Sequence, residues 1–368
     1  MRRILTVCAA VLVAGTVVAT PAMAVAGGDI ARPAAAPWMA TIAFNGDQPL
    51  VQRESCGGAL IAPDRVATAA HCVDHVDPTH LEVHVGGGTL SEDPGRNVPI
   101  KGWSVEPGFR LIPSPVAPED SEKSSAADDV AVIKLARPVF GVPTLPVART
   151  APAPGSTVDL FGHGLTQAPD PKNPTAALGD QLKHAQLKVL DDGACAAKLA
   201  SPGLLDGKSV LCTQGAATVC PGDSGGPLVQ NGRLVGIVSF GGETAGKQCG
   251  EPTVDGFTDA AVARSFLTQP RPPLAPMAAA DPVITGTKAA GNTLTCAAPK
   301  WTVKPDKVEY AWYFNQVDPA NDFEFFVPVE GATSPTLTVT SDLAGHKLNC
   351  GIKATTAGGT ILQYTDIV

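Results

Sequence analysis

The 368-residue chain carries 27 Lys and Arg against 35 Asp and Glu, a formal net charge of −8, with 44% hydrophobic residues, 38 Gly and 34 Pro. That length holds a sizeable core and more than one domain, and the Gly and Pro content suits a loop-rich β structure. Mild acidity without a basic run excludes a nucleic-acid footprint, so no nucleic-acid partner is expected.

Residues 1–24 read as a secretion signal. Arg2 and Arg3 precede an apolar stretch of about 16 residues from Ile4 to Ala19, and Ala22-Met23-Ala24 gives a small-residue cleavage site. The stretch falls short of the ~20 residues a spanning helix needs, and no other segment qualifies. The chain is therefore expected to be secreted and not embedded in a membrane. Nine cysteines less Cys8 of the signal leave eight, an even number that argues for four disulfides in an oxidising compartment. Spacing alone leaves on the order of a hundred pairings open.

Beyond the cut, Val25-Ala26-Gly27-Gly28 opens the mature chain; a competing cut after Ala26 would destroy that start. Trp38 to Ile42 and Ser55 to Ile61 read as strands. Val66-Ala67-Thr68-Ala69-Ala70-His71-Cys72 follows; alone, His71 could be a packed core histidine. His75, His80 and His84 lack the spacing and carboxylate partners of a metal site and are read as surface residues; no metal or cofactor is expected. Asp128-Asp129-Val130-Ala131-Val132 puts a carboxylate at the head of an apolar strand, where a simple capping role is the plain alternative. Cys220-Pro221-Gly222-Asp223-Ser224-Gly225-Gly226-Pro227 comes next. A flexible linker fits it poorly, because an apolar, strand-like run follows at once. A serine on a tight glycine turn reads as a nucleophile, with the amides of Gly222 and Ser224 converging where an oxyanion could sit. Asp259 to Thr268 reads as a helix with Val262, Phe266 and Leu267 on its apolar side. Residues 268–281 form a Pro/Ala linker of extended, semi-rigid character, and after it short Thr/Val/Leu strands broken by Gly and Pro occupy 282–368.

Gly222-Asp223-Ser224-Gly225-Gly226-Pro227 resembles the active-site motif of chymotrypsin/trypsin-like serine proteases. The Ala-Ala-His-Cys segment, the Asp129 strand, Val158 to Gly164 with His163 in place of the family's tryptophan, and Ser239-Phe240-Gly241 are similar in the same order. The resemblance covers residues 25–267. It implies an all-β fold of two antiparallel barrels with a C-terminal helix, and a triad of His71, Asp129 and Ser224. It also implies an oxyanion hole from Gly222 and Ser224, and disulfides Cys56–Cys72, Cys195–Cys212 and Cys220–Cys249. By the same resemblance the freed α-amino group of Val25 would fold inward and pair with Asp223, and Ser239 would bond Asp129. Residues 282–368 resemble immunoglobulin-like modules appended to many bacterial exported proteins, with Cys296 and Cys350 bridging two sheets over Trp312. That β-sandwich could bind an unknown surface or protein ligand.

These resemblances imply a secreted serine endopeptidase acting on polypeptides, expected as a monomer. Six residues before Ser224, where trypsin-like members carry Asp, stands Thr218, followed by Val219. This favours an apolar or small residue before the scissile bond, with Gly241 leaving the pocket mouth open, while by the resemblance Ser239-Phe240-Gly241 is the strand that hydrogen-bonds the substrate backbone. Asp255 offers the alternative: on the pocket's far wall it would select Arg or Lys, but an alignment that puts Gly256 there turns it outward. An exported binding protein with an inactive protease domain and an esterase with the same triad are the competing functions. Residues 110–128, rich in Pro, Asp and Glu (Glu119, Asp120, Glu122), form a long loop expected to overhang the cleft.

Overall fold

The structure is a computed structural model that describes residues 25–120, 123–242, 246–319 and 322–368. The signal segment 1–24 and Glu122 of the long loop lie outside the described residues.

Strands dominate, and their period-two burial sets the two sheets of the larger unit. Lys183–Val189 alternates inward and outward residue by residue, as a half-buried strand must. It begins a ring that continues through Thr157–Gly162, Pro227–Gln230, Arg233–Phe240, Val254–Asp259 and Val210–Gln214. A last pairing back onto Lys183–Val189 closes a six-stranded antiparallel barrel around Leu160, Leu187, Leu228, Val238 and Phe257. The other sheet runs Asp93–Val98, Leu81–Thr89, Met39–Phe44, Glu54–Ala62, Arg65–Thr68, Ala131–Leu135 and Ile100–Val105. Its two edge strands are consecutive in the chain and meet at Pro99, and no ladder pairs them among the described residues. It is a curled sheet and not a second closed barrel.

Other differences from the sequence reading are local. The helix expected over Asp259–Thr268 is one turn, Arg264–Leu267. Asp259 accepts from the amides of Ala261 and Val262, which holds the preceding residues in a turn. Leu267 is buried, Phe266 packs on the core, and Val262 points to solvent. His84 is buried on Leu81–Thr89, 3.2 Å from Glu82, whereas His75 and His80 keep about half their side-chain surface exposed.

C-terminal to this, Val283–Thr285, Thr293–Ala297 and Thr336–Thr338 form one sheet. Phe323–Pro328, Lys307–Asp318, Leu348–Thr356 and Gly359–Tyr364 form another. Cys296 and Cys350 join them, and Leu294, Trp312, Leu337, Leu348 and Ile352 fill the space between. All four expected disulfides are present. This module does not hang from a free linker. Residues 273–275 lie against Ile100–Val105, with Ala275 N donating to Trp103 O at 2.8 Å. The strand Gly359–Tyr364 then pairs with the segment just after Cys72: His75 N donates to Thr360 O (2.9 Å) and Leu362 N to His75 O (3.0 Å). Ala354 and Ile361 complete the core around Trp103. Asp77, 1% exposed, accepts from Ala278 N and from Gln363 Nε2 at 3.0 Å, so a buried carboxylate is satisfied only by the docked module and its own turn.

Candidate active site

The turn Cys220–Gly226 leads into the barrel strand Pro227–Gln230. Gly222 (φ +95°) and Gly225 (φ +76°) hold left-handed backbone that favours glycine. A Cβ on Gly225 would run into Thr68 Oγ1 and Gly57 O, so the turn presses directly on the other sheet, and Gly57 N donates to Ser224 O at 2.7 Å. This closeness across the two sheets carries Ser224 to the strand that ends near His71. Both residues line one cavity of about 500 Å³, together with Asp129 and Gly222.

His71 sits in the single turn Ala70–Cys72, pinned by the Cys56–Cys72 disulfide. Its Nδ1 lies 2.7 Å from Asp129 Oδ2, and its amide donates to Asp129 Oδ1 at 3.0 Å. Ser239 Oγ donates to the same Oδ2 at 2.6 Å, and Thr258 Oγ1 bonds the Asp129 carbonyl. Burial pushes the Asp129 carboxyl up, but the charge and hydrogen bonds of His71 and the bond from Ser239 outweigh it and leave it below the ordinary carboxylate range. An ionised, 1% exposed carboxylate therefore fixes the imidazole by one nitrogen. Such a ring can take a proton from a hydroxyl placed in the cavity.

Asp223 turns away from the cavity. Its Oδ1 accepts from Gly164 N (2.9 Å) and its Oδ2 from Cys220 N (3.0 Å), and burial pushes its carboxyl up to about 7. Residues 25–28 thread into the barrel beside it: Val25 is fully buried, Thr218 N donates to Ala26 O, and Gly28 N donates to Val25 O. A Cβ on Gly162 would strike Asp223 Oδ1 and lie 3.4 Å from Val25 Cγ2, so the valine and the carboxylate share one pocket wall. His163, between Gly162 and Gly164, is buried as a neutral ring, held down to about 4 by burial.

Glu54 is the functional candidate that the sequence reading missed. Its carboxylate lies against the Cys220–Gly226 turn, where a Cβ on Gly222 would stand 2.9 Å from Oε2. Burial and the nearby Asp223 carboxylate push the Glu54 carboxyl well above its ordinary value. The neighbouring Arg53 is turned away onto Glu82 and the Gln48 carbonyl. Two acids therefore flank Gly222, and no ion pair joins either to a cation among the described residues. The one available signal was Glu54's place two residues before Cys56.

At the base of the cleft, Val219, Phe240 and Gly241 line the cavity, while Thr218 and Asp255 lie behind Val219. Asp255 is fully buried and turned inward: Oδ1 accepts from Thr218 Oγ1 at 2.7 Å and from Val219 N at 3.3 Å. Gly256 instead lies under the Phe240 ring, where any Cβ would collide. The outward alternative for Asp255 is thus not the one adopted. Leu111, Ser124, Ser125 and Ala126 of the long loop form part of the cavity wall.

A family model described as trypsin matches residues 25–266. The chain belongs to the trypsin family. Trypsin iota of Drosophila melanogaster is 31% identical over 64% of this chain and 83% of its own length. Brachyurin of Leptuca pugilator is 31% identical over 55% of this chain and 81% of its own. Among solved structures, neuropsin, a serine protease expressed in the limbic system of mouse brain, superposes with a TM-score of 0.52 at 26% identity, covering 66% of this chain and 97% of that one. All these matches fall short of the whole chain, and the family model ends at residue 266, before the C-terminal sheets. The protein is thus a trypsin-family serine endopeptidase, a hydrolase of polypeptides, extended by a β module.

Proposed function

We propose that Ser224, His71 and Asp129 are the catalytic triad of a secreted endopeptidase. Ser224 attacks the scissile carbonyl, His71 takes its proton and passes it to the leaving amine, and Asp129 fixes the imidazole and stabilises its charged form. The amides of Gly222 and Ser224 stabilise the oxyanion. The observation that carries this reading is the Ser239–Asp129–His71 hydrogen-bond chain ending in the cavity that Ser224 lines. Replacing Ser224 with Ala in the secreted protein should abolish peptide hydrolysis and labelling by an active-site organophosphate, with secretion and melting temperature retained. Activity near wild type in that variant would sink the assignment, whereas a wild type that neither hydrolyses peptides nor takes the label would favour the inactive-binder reading.

For the residue before the scissile bond, buried Asp255 behind Val219 supports Arg or Lys, and the trypsins among its relatives agree with that reading. A carboxylate beneath an otherwise apolar floor attracts a long cationic side chain strongly because water is excluded there. Thr218 and Val219 support the competing preference for apolar or small residues. Peptide-library profiling separates the two: Asp255→Ser should lower kcat/KM for Arg and Lys substrates by at least tenfold, about 1.4 kcal/mol, and leave apolar substrates unchanged. If the wild type already prefers apolar residues, the basic reading fails.

The two facing sheets of residues 282–368, with Cys296–Cys350 over Trp312, support an immunoglobulin-like module.

A further inference from the structure

Four arginines from four separate segments surround a second cavity of about 270 Å³. Arg65 opens the strand Arg65–Thr68, Arg149 follows the connection between the sheets, Arg233 opens Arg233–Phe240, and Arg264 starts the last helical turn of the protease unit. No residue of this cavity's wall lines the cleft. The convergence is fixed by backbone. Leu234 N donates to Pro146 O (3.0 Å) and Ala148 N to Leu234 O (2.9 Å), which sets Arg149 and Arg233 at neighbouring positions. Arg264 Nη1 donates to Val147 O (2.9 Å) and Arg65 Nη1 to Gln269 O (2.8 Å), so two of the guanidinium groups are anchored at the rim. Val147 and Leu267 supply an apolar floor.

The wall contains no carboxylate. Asp64 lies 3.8 Å from Arg65 Nε but is shared with Lys134, and neither Arg149 nor Arg233 makes an ion pair among the described residues. In a chain with eight more acids than bases, a wall of four cations with no carboxylate of its own, where Arg149 and Arg233 make no ion pair among the described residues, is a local excess of positive charge. Guanidinium groups match the geometry of tetrahedral oxyanions with paired N–H donors. We propose that this cavity binds an oxyanion of the sulfate or phosphate class. Its wall joins the curled sheet, the closed barrel and the first residue of the linker, Thr268, so the anion ties three parts of the fold together. The source is a free inorganic anion or a sulfate group on a polysaccharide.

The test uses the full-length secreted protein. Sulfate stabilises many proteins non-specifically at high concentration, so titration stays at low millimolar sulfate or phosphate and is matched in ionic strength with chloride. The site predicts a saturable rise in melting temperature and a 1:1 calorimetric isotherm, both lost in Arg149→Ala/Arg233→Ala. The doubly conservative Arg149→Lys/Arg233→Lys variant keeps the charge but loses paired donors, and should bind at least tenfold more weakly. Peptide turnover should be unchanged in both. If the small anions give no saturable effect but a heavily sulfated polysaccharide binds the wild type and not the Ala variant, the polymer is the source. A shift matched by chloride, or equal in the Ala variant, with no polymer binding, overturns the proposal.

Discussion

Asp223 and His163 are both buried, and their protonation pulls stability in opposite directions. A carboxyl whose folded value is raised to about 7 lends stability that is full below its unfolded value and lost as the pH rises through 7. A histidine held down to about 4 lends stability above its unfolded value and loses it as the pH falls toward 4. In a chain carrying one extra residue before Val25, which keeps the ammonium out, the two trends offset each other between roughly pH 6.5 and 4. Substitution should unmask each. His163→Phe in that extended chain should melt at higher temperature as the pH drops from 7 to 4, and Asp223→Asn at lower temperature. Absence of opposite slopes would show that these groups do not carry the shifts.

The same residues set the expected activation. With Val25 as a free terminus, its ammonium would neutralise Asp223 and hold the oxyanion turn; losing one member of such a pair costs about 3–5 kcal/mol. Extension by one residue, or Asp223→Asn, should leave a folded and nearly inactive protein. N-terminal sequencing beside turnover checks this, and fully active protein starting elsewhere than Val25 would refute it.

At the scale of elements, the long loop folds as a small antiparallel hairpin, Arg110–Ile112 with Ser125–Ala127, and is not a loose overhang at its base. Ser125 Oγ donates to the Leu204 carbonyl, and Leu111 and Ala126 face the cavity. An anchored wall excludes bulk by shape. Replacing residues 114–122 with a short Gly-Ser turn keeps the strands and removes the outer part. Bulky side chains next to the residue before the scissile bond should then be accepted several-fold better, with the preference at that residue unchanged. An identical cleavage profile would show that the outer loop points elsewhere.

For the whole molecule, the docked C-terminal module predicts cooperative unfolding with the protease unit. Its strand Gly359–Tyr364 pairs with the loop after Cys72, and its Gln363 satisfies Asp77. Gln363→Ala leaves a buried acceptor short of a donor, a loss of about 1–3 kcal/mol. Calorimetry on the full chain should show one transition moved down by several degrees. Two transitions, with only the smaller one moved, would mean the module folds independently.

The sequence by itself determined what lies within a few residues of its signal. The glycine turn that carries Ser224 was legible because turn geometry is local, whereas His71 and Asp129, read alone, left a core or capping role open and were joined to Ser224 only by the family resemblance. The two-sheet module showed in its Thr/Val/Leu runs and its Cys296, Trp312 and Cys350. Only the tertiary structure decided which way Asp255 faces, because a one-residue change of register sends a strand side chain to the opposite face. It also decided that the curled sheet stays unpaired at Pro99, that Glu54 meets Gly222, and that four distant arginines share one cavity. The placements of Asp255, Glu54 and the arginines depend on contacts between segments far apart in the chain, which are set by packing and not by neighbouring residues, while the Pro99 edge depends on how the whole sheet curls.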